Sequence, residues 1–382
     1  MKILQVIPYF TTEKGGEVNV VSNLSKELVN LGHEVTILTS DFEKVNNSVP
    51  DTSSVELLFF KTFFNFRLFI YTPSMKKWLK ENLSDYDIVH LHGFRTYQNN
   101  IVVSISKKFN KSVILQPHGS FPKIVEKFLL KSLFDLFWGK KIIEQSKYII
   151  AVSGTEQKQL LSQGYIPTSK IVTIPNGIDG KLFEHLPDHN GFRDELGISD
   201  DTRLILYLGR LHKRKGIDFL ISAFAEALKK RDDLMLVVSG PDHGQGSELQ
   251  KLVEELDIKD KVIFSGKIDD VRKAYVACDL LVYPSIYEIF GLVPFEGLMC
   301  GTPVIVTNDC GCGEIIGKAD CGLQVKYGDI SGLRDTMIKL IEDNKLANKI
   351  VTNGQTFIFD NLLWEQLIHR FLGVYEDCVH NI

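Results

Sequence analysis

No stretch of eighteen residues in this 382-residue chain is both apolar and free of charge, so a membrane-spanning helix is not expected. The start offers no signal-peptide core either. The run in MKILQVIPYF is cut short by Pro8 and polar residues, and reads as a first buried strand. Cysteine is absent from the first 277 positions; Cys278, Cys300, Cys310, Cys312, Cys321 and Cys378 all follow. This argues against a disulfide framework and for small buried thiols in a reducing cytoplasm. Cys310-Gly311-Cys312 fits no zinc spacing. Dinucleotide and P-loop fingerprints are missing as well. Gly15-Gly16 sits between the first strand and a helix, without Gly-x-Gly-x-x-Gly or Lys-Ser/Thr. No repeat or low-complexity tract is present.

What is there is the composition of an ordinary globular protein, 44% hydrophobic and 24% charged. Its length allows two domains, each with its own core. The net charge of −4 hides an asymmetry, with Lys and Arg exceeding Asp and Glu up to residue 183 and the reverse beyond it. A basic first half suits an anionic neighbour. Apolar runs of four to eight residues alternate with helical patterns, which predicts parallel sheets in an α/β fold. The runs are ILQVIP, EVTILTS, VELLFF, YDIVHLH, KSVILQP, KYIIAVS and KIVTIP, then RLILYLG, DLMLVVSG, KVIFSG, DLLVYPS and TPVIVTN. Helices are expected over 17–31, 121–145 and 155–164. The polar stretch 184–200 reads as the domain boundary. This gives a first domain over 1–183, a second over 184–360, and an amphipathic helix in 361–382 starting near Trp364.

The most informative segment is SIYEIFGLVPFEGLMCGTP, residues 285–303. It follows a buried strand and places Glu288 and Glu296 around the turn Phe290-Gly291-Leu292. Ligands of open α/β sheets sit beyond the carboxyl ends of strands. A helix opening there offers free N–H groups to a phosphate, and flanking carboxylates accept hydrogen bonds from sugar hydroxyls. The chemistry suggested is a nucleotide-linked sugar held by its diphosphate. A plain strand, turn and helix is the other reading, since every doubly wound protein contains them.

The segment resembles the signature of the retaining glycosyltransferases of GT-B fold, the group 1 or family-four set: Glu, seven residues, Glu, with Phe-Gly-Leu inside. The resemblance covers nearly the whole chain. It implies that Glu288 contacts the donor sugar's hydroxyls, that amides at Phe290, Gly291 and Leu292 bind the diphosphate, and that Glu296 binds the ribose diol. It also implies two tandem Rossmann-like domains, a ligand cleft between them, and a final helix crossing back to the first. Gly209-Arg210-Leu211, followed by Lys215-Gly216, resembles the family's Gly-Arg-Leu and Lys-Gly motif. Arg210 and Lys215 are therefore expected to clamp the diphosphate, where fixed cations stabilise the leaving group; read alone, LHKRKG is also a solvated basic loop.

Further matches are to the family's Gly-rich loop at Gly15 and Gly16, its strand-end His-Gly at His118, and its Asn-Gly-Ile-Asp loop at Asn176. These imply donor contacts, although Asn-Gly is equally a tight turn. Glu17 departs from the small or apolar residue expected after the glycine pair. Gly240 and Ile268, near strand ends of the second domain, are expected to meet base and phosphate through backbone. His92 is a weaker strand-end candidate, and His90 is expected to pack. No Asp-x-Asp stands beyond a strand end. Asp232-Asp233 precedes a strand and Asp269-Asp270 opens a helix, so neither reads as a cation site. Neither cofactor nor metal is expected.

Two stretches of the basic half suit an acceptor or an anionic membrane. Residues 59–80 mix six phenylalanines with Lys61, Arg67, Lys76, Lys77 and Lys80. Residues 121–141 set Lys123, Lys127 and Lys131 beside Phe128, Leu129, Leu133, Leu136 and Phe137. A core-packing helix with a solvated edge is the alternative. The overall expectation is a cytoplasmic, metal-independent, retaining glycosyltransferase, peripheral on the inner face of the membrane. It would move a hexose from a UDP- or GDP-sugar to a glycan or lipid-linked hydroxyl, with no nucleic-acid partner. A nucleotide-sugar epimerase, a phosphorylase carrying pyridoxal phosphate on a lysine, and an idle sugar-nucleotide binder are the rivals.

Overall fold

The computed structural model describes residues 1–12, 15–43, 48–50, 52, 54–66, 69–122 and 128–380. Its contacts divide the chain into two units. One comprises Met1–Gly177 with Trp364–Ile382, and the other Ile178–Leu363. Each is built on its own parallel sheet.

In the first unit the strands are β1 (Lys2–Val6), β2 (Glu34–Ser40), β3 (Glu56–Phe60), a hairpin of β4 (Phe64–Phe66) and β5 (Phe69–Tyr71), then β6 (Ile88–His92), β7 (Ser112–Gln116), β8 (Ser146–Ala151) and β9 (Ile171–Thr173). Seven form one sheet in the order β3-β2-β1-β6-β7-β8-β9. Strands buried on both faces need continuous apolar runs, which is why these segments stand out in the sequence. Alternate residues serve opposite faces. Leu4, Val89 and Leu115 pack with helices Pro73–Asn82, Tyr97–Ser106 and Lys140–Gln145. Ile3, Ile88 and Ile114 pack with helices Gly16–Asn30 and Trp364–His380. The carboxyl-terminal helix thus belongs to the first unit, through Trp364, Leu367, Phe371 and Tyr375.

The second unit holds β10 (Arg203–Leu208), β11 (Leu234–Ser239), β12 (Val262–Gly266), β13 (Leu280–Tyr283), β14 (Val304–Thr307) and β15 (Leu323–Val325). Their order is β12-β11-β10-β13-β14-β15, all parallel. Both sheets are doubly wound: the chain lays strands outward from a central one, then returns to build the other side.

The polar stretch 184–200 lies inside the second unit. It contains the helix His189–Leu196, whose Arg193 is buried and donates to the carbonyls of Ala277, Ser199 and Thr202 and to Asp279. Polarity there reflects an internal clamp. The unit's ends meet instead at Ile178 and Leu363, where the Ile178 amide donates to the Leu362 carbonyl at 2.8 Å.

Other segments also differ in detail from the sequence pattern. The helix expected over 121–145 is seen as Phe128–Phe134, a π turn over Asp135–Gly139, and Lys140–Gln145. Lys123, Lys127 and Arg67 lie outside the described residues. The β4–β5 hairpin, with its own short antiparallel register, stands apart from the main sheet. Among the described residues no helix is long and apolar enough to cross a membrane.

Candidate functional site

β10 and β13 are neighbours, but the chain leaves them towards opposite edges of the sheet. Between such strands a crevice opens beyond the carboxyl ends, where α/β folds place ligands. The loops after β10 and β13 carry most of the second-unit residues singled out from sequence.

After β10 the chain runs through Gly209, Arg210 and a short turn to Lys215. Tyr207 is fully buried and donates to the Arg210 carbonyl at 3.1 Å, which shapes this loop. The Arg210 side chain is exposed. Gly216 follows in the left-handed region at φ 64°; a Cβ there would lie 2.2 Å from the Pro284 carbonyl oxygen. Only glycine allows the two loops to approach so closely.

That approach brings Lys215 to Glu288. Its ammonium donates to Glu288 Oε2 at 2.6 Å and to the Tyr283 hydroxyl at 2.9 Å. The Tyr283 hydroxyl in turn donates to the same Glu288 oxygen at 2.8 Å. The Ile289 amide donates to Oε1 at 3.1 Å. Burial pushes the Glu288 carboxyl up, but the Lys215 charge and these three donors together hold it below its ordinary value. Glu288 is therefore an oriented carboxylate at neutral pH.

Gly291, at φ 72°, packs against this group; a Cβ would meet Glu288 Cγ at 2.9 Å and Cys312 Sγ at 3.3 Å. Phe290 is buried against Phe295. The helix after the turn is Val293–Met299, starting two residues past Gly291 with Leu292 as its cap. Glu296 lies in its first turn and accepts from the Tyr275 hydroxyl at 2.9 Å. Burial raises the Glu296 carboxyl, and the hydrogen bond only partly offsets this. Cys310 and Cys312 face one another with sulfurs 3.3 Å apart, and the Gly311 amide between them donates to the Glu288 carbonyl at 2.7 Å.

Gly240 follows β11 at φ 138°, so close to Gly209 that a Cβ would overlap its carbonyl oxygen. Ile268 follows β12 and is partly exposed. Asp233 pairs with Arg231, and Asp270 caps the helix Val271–Ala277 while pairing with Arg272. Both are structural carboxylates.

The remaining candidates belong to the first unit. Gly15, at φ 75°, caps the helix Gly16–Asn30 and donates to the Thr12 carbonyl. His118, at φ 50°, contacts His92, Nε2 to Nδ1, at 2.9 Å, and His92 also contacts Gln5. His90 is buried and bonds to the Tyr375 hydroxyl at 2.8 Å. Burial lowers all three imidazoles, His118 to about 3, so they are neutral. Asn176 precedes Gly177, whose Cα packs so tightly on the Trp364 indole that a Cβ would overlap it. Two acids not singled out as site residues lie here. Glu17 and Glu156 are both raised to about 7, chiefly by burial.

The family of glycosyl transferases group 1 matches residues 188–357, and glycosyltransferase family 4 matches residues 14–181. The chain belongs to these glycosyltransferases. It is 27% identical over 383 residues to the N-acetyl-alpha-D-glucosaminyl L-malate synthase of Bacillus anthracis, covering 96% of this chain and 95% of that one. It is 25% identical to the phosphatidyl-myo-inositol mannosyltransferase of Mycobacterium leprae, covering 98% and 96%. Among solved structures, Anabaena Alr3699/HepE in complex with UDP aligns with a TM-score of 0.83 at 18% identity, over 99% of this chain and all of that one. That likeness, with the two doubly wound sheets, makes the fold GT-B.

Proposed function

We propose that this glycosyltransferase moves a hexose from a UDP- or GDP-sugar, with retention, to a hydroxyl of a glycan or lipid-linked acceptor in cell-envelope polysaccharide or glycolipid synthesis. The observation that carries the reading is the Lys215–Glu288–Tyr283 cluster beside Gly291, at the reversal point of the second sheet. A sugar diphosphate needs cations and free amides at one end and a hydroxyl acceptor at the other. This cluster and the adjoining loops offer both.

In this reading Arg210 and Lys215 bind the diphosphate, and the amides at Phe290, Gly291 and Leu292 add further donors. As the anomeric bond breaks, negative charge grows on the leaving diphosphate and positive charge on the sugar carbon. Fixed cations stabilise the first, and the oriented Glu288 carboxylate steadies the second. Glu296 takes the ribose hydroxyls, and backbone at Gly209, Gly240 and Ile268 meets base and phosphate. The donor contacts expected of Gly15, Gly16, Asn176 and His118 belong to the same proposal. With these cations in place no metal is required, so transfer in excess chelator should be undiminished.

The relatives support part of this scope. One is named a phosphatidyl-myo-inositol mannosyltransferase, which fits a lipid-linked acceptor, and the structural neighbour is a UDP complex; the relative named for L-malate lies outside it. Calorimetric titration with UDP, GDP, ADP and their sugar conjugates tests the proposal. Tight binding to one base, lost in Arg210→Ala, is expected. Binding to none of them would overturn it.

Localisation on the inner face of a cytoplasmic membrane is part of the proposal. Phe63, Phe64 and Phe66 of the hairpin region are exposed, Phe63 by 78%. Leu130, Leu133, Leu136, Phe137 and Trp138 are exposed too, Leu136 by 74%, with exposed Lys140 and half-buried Lys131 beside them. Apolar side chains interspersed with lysines suit an anionic lipid surface.

A further inference from the structure

The first sheet has its own reversal point, between β1 and β6, and a carboxyl group points into it that the donor reading leaves unused. Glu17 stands in the first turn of the helix Gly16–Asn30. Its Oε2 accepts from the Tyr9 hydroxyl at 3.1 Å. Its Oε1 is buried and has no hydrogen-bond partner among the described residues. That oxygen lies against Gly93, the residue after β6, where a Cβ would come within 3.1 Å of it.

A second unmade set of hydrogen bonds lies nearby. Gln116, the last residue of β7, is fully buried, and neither atom of its amide has a partner among the described residues. Strand alternation puts its side chain on the face of Ile114, the face that the helix of Glu17 covers. The β6–β7 register sets it beside His92. Beyond them are neutral His118 and Glu156, whose carboxylate accepts from the Gly119 amide at 2.6 Å and the Val152 amide at 2.8 Å.

Among the described residues, the electrostatics of this crevice disfavour one kind of ligand. Neither carboxyl is stabilised by a Lys or Arg among the described residues; Glu17 is affected by burial, Tyr9 and Glu156. A phosphate or carboxylate entering here would meet two acidic groups. A hydroxyl fits, because it donates to a carboxylate and exchanges hydrogen bonds with an amide in either direction. Buried polar atoms without partners cost about 1–3 kcal/mol each, which a bound hydroxyl relieves.

We propose that Glu17 reads the acceptor: its free Oε1, with Gln116 behind it, takes hydroxyls of an uncharged sugar or polyol and rejects acceptors bearing phosphate or carboxylate at the reacting end. This rests on the transferase reading above and assigns the acceptor class within it.

The test follows release of nucleoside diphosphate from the donor selected by titration, using the intact protein. Neutral alkyl hexosides and inositol form one acceptor panel, hexose 6-phosphates and L-malate the other. Acceleration over hydrolysis by the neutral panel alone is expected. Glu17→Ala should raise the acceptor KM about tenfold or more, the equivalent of one lost hydrogen bond of this kind, with nucleotide affinity unchanged. The wild-type acceptor KM should fall as pH rises through about 7, since an ionised Glu17 accepts more strongly. Among the described residues, Tyr9 and Glu156 are the other titratable groups that act on it. Glu17→Gln, which keeps the shape, should flatten that profile. Preference for the anionic panel, or a wild-type acceptor KM and pH profile in Glu17→Ala, would overturn the proposal. Tight nucleotide binding with no response to either panel would also overturn it while leaving the transferase reading intact. Absence of nucleotide binding would overturn both.

Discussion

Lys215 and Glu288 are 73 positions apart in sequence, yet their charged atoms lie 2.6 Å from one another. The adjacency of β10 and β13 makes this possible, and Gly216 lets the loops close. The pair is mostly buried, the side chains being 13% and 23% exposed, so breaking it strands a charge that water reaches poorly.

Lys215→Ala should therefore leave Glu288 subject to burial with less compensation, and its carboxyl should rise. We expect a stability loss of about 3 kcal/mol, the usual scale for breaking a buried pair, together with weaker nucleoside diphosphate binding. Denaturant unfolding and calorimetry measure the two. Unchanged values in both would show that the pair contributes neither to stability nor to nucleotide binding.

Glu288→Gln keeps the side chain's size and some of its hydrogen bonds but removes the charge. Transfer should fall by far more than nucleotide affinity. An equal loss of each would make Glu288 a binding residue and nothing else.

Two glycines predict opposite outcomes. Gly240→Ala would drive a methyl into the Gly209 carbonyl at a φ of 138°, displacing the loop that bears Arg210. Nucleotide binding should be lost, with a drop in Tm. Gly373 lies exposed within the helix Trp364–His380, with nothing within 4 Å of an added Cβ. Gly373→Ala should stabilise by about 0.5–1 kcal/mol through helix propensity.

The buried acids and histidines give stability a pH dependence of mixed sign. Glu17 and Glu156 are raised from 4.5 to about 7. Each costs nothing below about 4.5, and its destabilisation grows as pH rises from there to about 7 and is constant above. His118 is lowered from 6.5 to about 3, so it costs nothing above 6.5 and destabilises as pH falls below that. Glu17→Gln should raise Tm at pH 8, with a gain that shrinks as pH is lowered from 7 towards 4.5. The same gain at pH 8 and pH 5.5 would contradict this.

The exposed aromatics of the hairpin region should matter chiefly at a lipid surface. With vesicles rich in anionic lipid at low salt, the wild type should sediment. Replacing Phe63 and Phe64 by Ser should leave it in the supernatant, with only a small fall in Tm from the lost ring contacts with Phe69 and Tyr71. Wild-type protein that stays in solution at every lipid composition would sink the membrane proposal.

Much of the fold was legible because both sheets are covered on each face. β1, β2, β6 and β10 had to be nearly continuous apolar runs, and they read as such. The paired strands Phe64–Phe66 and Phe69–Tyr71 did not, since a two-stranded ribbon with exposed phenylalanines lacks the alternation that marks a half-buried strand. The polarity of 184–200 pointed to a linker because sequence does not reveal that Arg193 is buried on carbonyls. Glu288, Lys215 and Gly291 were found through their motifs. Tyr283 was seen only as a strand residue, for its hydrogen bond to Glu288 depends on where the following loop returns. Glu156 and Gln116 gave no signal at all. A buried polar side chain looks like a surface one until its neighbours are known.

The first unit is assembled from both ends of the described chain, whereas the second is continuous and its ends are hydrogen-bonded neighbours. During synthesis, residues 178–363 are complete before the helix that covers Ile3, Ile88 and Ile114 has been made. Its last residues close a core begun by the first strand, so the unit that starts earliest finishes last. The second unit can therefore fold while the first still lacks the helix that covers one face of its sheet.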